Sequence, residues 1–417
     1  KGSPFRSKNR GTYPYFRNNT LREETVQSPE LLAPAGNFEK LKTALRFGAD
    51  AVYLGGKSFS LRSFSDNFTD EELKAAAEYV HARGKKMYVT VNIFAKNSDF
   101  SQLEKTFRFL QEIGADAALV TDAGVFALAR KVAPNLPLHI STQANTTNAY
   151  AARFWQEAGA ERVVLARELS LQEIAQIRDH CPGLELEAFV HGAMCISYSG
   201  RCLLSNYLAN RDSNRGACVQ ACRWKFDLRA RREEVGSLTA EEDERGTYLL
   251  NSKDLNMLSH LEEMRRAGVC SFKIEGRMKS SYYLATVVNA YRRVLDKTLS
   301  VEEGQEELKK VAHRAFTTAY MFGDNAETVN YEDSQESGTR EYVADVLADG
   351  LVQMRNRFRM GDKLEILSPT DTFNRVFTVE NMEDEAGAPV QDAKLVMQKL
   401  RLSCPYPLRE GDILRRV

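Results

Sequence analysis

The chain has 417 residues, 43% of them hydrophobic and 27% charged, and its 57 lysines and arginines balance 57 acids. That length suits one large α/β barrel with an appendage, and zero net charge excludes a global field drawing the protein to nucleic acid, so such contact must use local patches. No apolar run approaches the roughly 18 residues of a membrane span, no secretory leader is visible, and seven unevenly spaced cysteines make no secreted disulfide scaffold; a reduced, cytoplasmic protein without membrane contact is expected.

Residues 1–28 form a basic tail. Lys1, Arg6, Lys8, Arg10, Arg17 and Arg22 alternate with Phe5, Tyr13, Tyr15 and Phe16, and no acid occurs before residue 23. Such interleaving suits attraction to a phosphate backbone plus base stacking, or equally a flexible leader. The opening Lys1-Gly2-Ser3, without Met, leads us to expect a trimmed start.

From residue 29 one local pattern repeats: an amphipathic helix stops at a glycine and a short apolar strand follows. Gly48 leads into Ala51–Leu54, Gly84 into Met87–Val91, Gly114 into Ala117–Val120, Gly159 into Val163–Leu165, Gly183 into Leu184–Val190 and Gly268 into Phe272–Ile274. Glycine adopts the left-handed conformation of a helix stop at little cost. With Leu31–Ala33 and Leu138–Ile140 there are eight strands alternating with helices. That predicts an α/β fold, a (β/α)8 TIM-like barrel over 29–298, with an open doubly wound sheet as the alternative.

The gap from Gly183 to Gly268 is the longest between stops, and it holds a cysteine-rich insertion (195–247) after the seventh strand. Insertions there emerge at the C-terminal mouth, where barrel enzymes place their chemistry. Residues 299–340 read as a helical linker. Residues 341–417, with short alternating strands and turns at Gly361-Asp362 and Gly411-Asp412, read as a small C-terminal β-barrel domain.

Cys195, Cys202, Cys218 and Cys222 fall within 28 residues of the insertion. Four sulfurs suit a tetrahedral zinc ion or an iron–sulfur cluster. Structural zinc sites usually use two tight pairs, which only Cys218 and Cys222 approach, so the spacing favours a cluster over zinc. Cys181, Cys270 and Cys404 stand alone and read as packed thiols.

The stretches Glu187–Cys195 and Ser199–Ser205, the blocks Glu30–Asn37 and Gly48–Gly55, and the segments Arg215–Arg223 and Lys273–Met278 together resemble the signature of peptidase family U32, the collagenase-like proteases, from about residue 29 to the C-terminus. The resemblance implies a 4Fe-4S cluster on Cys195, Cys202, Cys218 and Cys222. Length and the C-terminal domain are most similar to the branch that hydroxylates the wobble uridine of tRNA, which implies 5-hydroxyuridine as product, prephenate as co-substrate and a tRNA anticodon stem-loop as partner. Related branches act on ribosomal RNA cytidine, and a protein partner of the same family is a further expectation.

A peptidase needs an activated nucleophile or a metal-bound water. Neither a His-Glu-x-x-His helix nor a Gly-x-Ser-x-Gly elbow occurs, which leaves His191 with Cys195 as the candidate pair. Peptidase activity is therefore the weaker alternative, and a non-enzymatic RNA-binding module weaker still. Strand ends supply the expected catalytic residues His191, Glu275, Asn92 and Gln143. Arg167, Lys253 and Arg277 are expected to bind the two carboxylates of a small co-substrate, since fixed cations suit them. Arg223, Trp224 and Lys225 beside the last cysteine, and Arg355 and Arg357 in the C-terminal domain, are expected RNA contacts. The acidic run 241–244 reads as a solvated loop.

Overall fold

The computed structural model describes residues 28–61, 66–224, 251–323, 328–329 and 337–417. The basic tail up to residue 27, Lys225 and the acidic run 241–244 lie outside the described residues.

The helices of the βα units that open at Phe38, Asp70, Ala123, Ala149, Leu171 and Ser281 begin with a side-chain cap. Helix α1 (Phe38–Arg46) follows strand β1 (Glu30–Pro34) and is capped by Asn37, which accepts from the Lys40 amide. After β2 (Ala51–Gly55), Thr69 and Glu72 form a reciprocal capping box on α2 (Asp70–His81). Strand β3 (Lys86–Val91) precedes α3 (Phe100–Glu112), β4 (Ala117–Val120) precedes α4 (Ala123–Val132), and β5 (Leu138–Ile140) precedes α5 (Ala149–Ala158). Strand β6 (Arg162–Val164) leads into α6 (Leu171–His180), and β7 (Glu185–Ala193) into the insertion with its short α7 (Leu204–Ala209). Strand β8 (Asp254–Asn256), α8 (Leu261–Arg266), β9 (Ser271–Ile274) and α9 (Ser281–Leu295) complete the wall.

Strands β1 to β7 pair in parallel in sequence order, and β9 pairs in parallel with both β1 and β7, so the barrel closes on eight parallel strands as expected. Sequence alone did not reveal β8. It returns antiparallel on the end of β7, with His191 opposite Asn256, and carries β10 (Phe316–Thr317) alongside. Residues 299–340 are therefore more than a helical linker, since α10 (Val301–Leu308) and β10 are built onto the barrel.

Gly48, Gly84, Gly114, Gly159 and Gly268 have positive φ, as the stop signature requires, whereas Gly183 does not. Helix α6 ends two residues earlier, at Cys181 with φ −129° and ψ 63°. Pro182 is the cause, because a proline disfavours the helical region for the residue before it.

Inside the barrel, Glu187 is fully buried and accepts from Lys273 at 2.6 Å and Arg162 at 3.1 Å, while Arg162 also reaches Glu30 at 2.6 Å. Burial alone would raise the Glu187 pKa, but Lys273 and Arg162 outweigh it and bring it to about 2.

The C-terminal domain is an antiparallel sheet. Its strands are β11 (Glu341–Val346), β12 (Val352–Met354), β13 (Phe358–Arg359), β14 (Lys363–Leu367), β15 (Val376–Thr378), β16 (Met382–Asp384), β17 (Asp392–Ala393), β18 (Lys399–Leu402) and β19 (Ile413–Arg416). Seven run in the order β15-β14-β19-β11-β12-β18-β16, and β13 pairs with β17. Leu367 and Ile413 join the barrel's apolar core, while Val343, Val352, Leu364 and Leu400 centre a second core. Buried Arg415 bonds Glu365 and Glu307 of α10, both at 2.6 Å. Among the described residues no helix is long and apolar enough to cross a membrane.

Candidate functional site

The insertion leaves β7 through Gly192, whose φ of +106° and close approach to the Glu275 carbonyl exclude any larger residue; an added Cβ would lie 2.5 Å from that oxygen. Cys195 follows two residues beyond β7. The chain then makes short turns at Tyr198–Gly200, Ser213–Arg215 and Ala221–Arg223, around α7. Ser199, Asn210 and Gln220 take the left-handed conformation, so the path is fixed by turns rather than by long elements.

Barrel side chains clamp these turns. The Glu168 carboxylate accepts from the Ser199 amide and hydroxyl, both at 2.6 Å, holding a non-glycine residue at φ +44°. Arg201 donates to the Gln143 carbonyl at 2.7 Å, and Arg215 donates to Asp99 and to the Phe94 carbonyl, both at 2.8 Å. Ser213 and Asn214 bond the Cys202 carbonyl.

All four cysteines of the insertion line one cavity of about 170 Å³ at the barrel mouth. A void near 150 Å³ accepts a molecule the size of benzene, so this space exceeds the needs of a single ion. Among the described residues no three cysteine, histidine or carboxylate side chains converge on a single-ion site. The Leu204 amide donates to Cys202 Sγ at 3.3 Å and the Gln220 amide to Cys218 Sγ at 3.4 Å. Burial, and then the neighbouring Cys195, push the Cys222 thiol up to about 11.

Glu275, Gln143, Arg167 and Arg223 line the same cavity, as their positions at strand ends and in the insertion predict. Tyr53 donates to the Glu275 carboxylate at 3.0 Å, and Arg167 donates to the Ala193 carbonyl at 3.1 Å beneath the Phe189 ring. Lys279 and Met278 also line the cavity and were missed. They sit in the loop between β9 and Ser280, the cap of α9, so the rule that βα loops build the site could have found both.

Four expected contributors stand back from the cavity. Asn92 accepts from the Leu61 amide at 3.2 Å and donates to Ser141 at 3.4 Å, which in turn bonds Gln143 at 2.7 Å. Arg277 is buried and donates to Ser60 at 2.7 Å, Thr90 at 3.2 Å and Asn67, so it braces the loop after β2. His191 points into an aromatic pack of Tyr283, Tyr291 and Phe316, with Nδ1 3.3 Å from the Tyr291 hydroxyl. Burial lowers its pKa to about 3, so it is neutral near pH 7. Lys253 donates its backbone N–H to the Thr328 carbonyl at 2.9 Å and does not line the cavity.

The arginines expected as RNA contacts in the C-terminal domain are ion-paired within the chain. Arg355 bonds Asp345 at 2.5 Å and approaches Glu39 at 3.8 Å, while Arg357 forms two bonds to Asp392, at 3.0 and 2.6 Å. The neutralising acids lie on other strands, or on α1, so the local run of arginines gave no sign of them. Trp224, by contrast, is 44% exposed.

Comparison with known proteins places this geometry. The pattern of Peptidase family U32 matches residues 36–331, and that of the Peptidase family U32 C-terminal domain matches residues 339–415. The tRNA hydroxylation protein P1 of Bacillus subtilis (strain 168) is 38% identical over 418 residues, covering 94% of this chain and 95% of that protein. The tRNA hydroxylation protein P of Escherichia coli (strain K12) is 37% identical over 409 residues, covering 86% and 90%. A Collagenase of Porphyromonas gingivalis (strain ATCC BAA-308 / W83) is 33% identical over 316 residues, covering 72% and 74%.

Proposed function

The chain belongs to peptidase family U32, and on that premise we propose that it is a tRNA hydroxylase converting the wobble uridine to 5-hydroxyuridine. The observation that carries this reading is the single cavity at the barrel mouth, which four cysteines share with Arg167, Arg223, Lys279 and Glu275.

Cys195, Cys202, Cys218 and Cys222 would hold a 4Fe-4S cluster, which supplies one-electron transfer or Lewis acidity when bound. Zinc is the alternative occupant. Replacing C5–H by C5–OH removes two electrons from the uridine, so a co-substrate must deliver the oxygen and accept both electrons. Prephenate is the proposed co-substrate. Its two carboxylates suit the Arg167 guanidinium and the cations of Arg223 and Lys279. Glu275, oriented by Tyr53, stands where a proton could be held beside them. An anticodon loop presents its bases already unpaired, which lowers the cost of bringing one to the mouth.

The peptidase reading has less support. A cysteine nucleophile needs a histidine beside it, and His191 is sealed in its aromatic pack, away from the cavity. Two measurements test the proposal. Anaerobic purification should give a coloured protein with iron and sulfide; a colourless protein with one zinc overturns the cluster. Deleting the gene and any paralogue should remove 5-hydroxyuridine from tRNA by mass spectrometry. Undiminished tRNA 5-hydroxyuridine, with a loss of hydroxycytidine from ribosomal RNA instead, moves the substrate to ribosomal RNA.

A further inference from the structure

The cysteine module has an outer surface as unusual as its cavity. Thirteen large hydrophobic side chains are exposed among the described residues, and five of them, Tyr198, Leu203, Tyr207, Leu208 and Trp224, lie in the module. Tyr207 is 80% exposed, Tyr198 53% and Trp224 44%. Apolar surface concentrated in so short a stretch marks an interaction site rather than the scatter of single residues every surface carries.

These side chains are held in place. Tyr198 opens the turn whose Ser199 is clamped by Glu168. Tyr207 lies on α7, which packs against the turn bearing Cys222 and leading to Trp224. Tyr198, α7 and Trp224 therefore surround the cavity mouth, because Gly200, Leu204, Ser205 and Arg223 from the same turns line it.

The charge around them is positive. Residues 194–224 contain Arg201, Arg211, Arg215 and Arg223 against Asp212 as the sole acid, and of these Arg215 is paired with Asp99 of the barrel. Arg201 is exposed, and its partners are neutral: the Gln143 carbonyl at 2.7 Å and the Phe94 ring at 5.2 Å. Its charge is not cancelled by that pairing. Flat aromatic faces beside guanidinium groups are what unpaired bases and their phosphates require, whereas a protein partner would gain little from the excess of one sign.

We propose that the rim formed by Tyr198, Tyr207 and Trp224, with Arg201, is a stacking platform for the unpaired bases of an RNA loop. The inference rests on the tRNA reading and extends it: the element that holds the cysteines also grips the bases flanking the one to be modified. A base stacked on this rim lies next to the cavity.

The test uses the full chain, anaerobically purified, and fluorescence anisotropy with a labelled anticodon stem-loop and a duplex RNA of equal length. Tyr207→Ala and Trp224→Ala should each weaken stem-loop binding by roughly five-fold or more, the range for losing one stacked base. Duplex binding should change little. Tyr207→Phe and Trp224→Phe, which keep a ring, should restore most of the affinity. Iron content and melting temperature equal to wild type confirm that the variants are folded; if Tyr207→Ala fails to fold, Tyr198→Ala is the second probe.

Alanine variants that bind the stem-loop like wild type overturn the platform. So does a change in oligomeric state by light scattering with RNA affinity intact, which would assign the patch to a second copy or another protein. If the variants lose stem-loop binding while the deletion strain keeps its tRNA 5-hydroxyuridine, the platform stands and the proposed reaction falls.

Discussion

The cysteine module and the run Arg355–Arg359 of the C-terminal sheet both look basic in sequence, yet folding treats Arg201 of the one and the arginines of the other in opposite ways. In the sheet, 11 lysines and arginines face 13 acids over residues 341–417, and Arg355, Arg357 and Arg359 each lie within ion-pair distance of a carboxylate. In the module, four arginines face one aspartate across residues 194–224, and one of them, Arg201, is held by a carbonyl and an aromatic ring. A sheet brings distant strands side by side, so opposite charges find each other. In the module the barrel supplies Asp99 to Arg215, while Arg201 meets a carbonyl and a ring instead. Local charge in a sequence thus reports surface charge only where the chain does not fold back on itself.

The comparison breaks most visibly at the cysteines. Cys222→Ala should abolish bound iron and 5-hydroxyuridine formation while leaving the sheet's unfolding transition in place; iron analysis and nucleoside mass spectrometry read it. The largest effect on stability should come from the other region. Arg415→Met leaves buried Glu365 and Glu307 with Lys310, at 2.9 and 2.8 Å, as the cation still bonded to them, so the cost should approach but not exceed the roughly 3–5 kcal/mol of breaking a buried pair, visible in denaturant unfolding.

The clamp between module and barrel should give an intermediate effect. Glu168→Ala removes two short hydrogen bonds to Ser199 and frees its strained backbone. Bonds to a charged acceptor contribute about 1.5–3 kcal/mol each, and partial exposure of Glu168 brings the expected total to about 2 kcal/mol. The variant should lose iron faster in air than wild type, and Glu168→Gln, which can still accept from the amide, should recover part of the difference.

A pH titration shows where the site ends. Burial holds His191 near pKa 3 against an ordinary 6.5, with Asp254 favouring its charged form and His313 and Lys279 opposing it; Tyr283, Tyr291 and Phe316 close around the ring. The unfolded chain takes up a proton below 6.5 that the folded chain refuses. This contribution to stability is therefore full above 6.5 and lost progressively as pH falls towards 3. His191→Asn should flatten that acid limb. An activity profile with a His191-dependent ionisation near pH 7 would contradict the placement.

Most of the barrel was legible because its signals are local. Amphipathic faces and glycine stops mark most of the βα units, and Gly183, the stop assigned to the wrong residue, was displaced by its neighbour Pro182. Strand β8 was not legible, since three residues leave no periodicity to read, and its pairing with β7 lies about 60 residues back along the chain. Within the site, cysteine spacing pointed to one shared cavity, and the loop position of Glu275 and Arg167 followed from barrel topology. What sequence could not supply was direction. His191, Asn92 and Arg277 sit near strand ends like true site residues, but their side chains point into packing or hydrogen bonds behind the mouth.

The smallest expected effect makes the comparison sharpest. Arg357 is 66% exposed and its pair with Asp392 lies on the surface, so Arg357→Ala should change stability by less than about 1 kcal/mol. If the sheet's arginines are already neutralised, the same variant should alter stem-loop affinity by less than about two-fold and leave its salt dependence unchanged, because no phosphate contact is lost. Arg201→Ala in the module should weaken binding and lower that salt slope by about one. The two slopes, measured side by side, separate an arginine that faces RNA from one that faces an acid. Equal slopes for both variants would mean that the ion pairs of the sheet open to RNA, and that the contrast between the two regions does not survive binding.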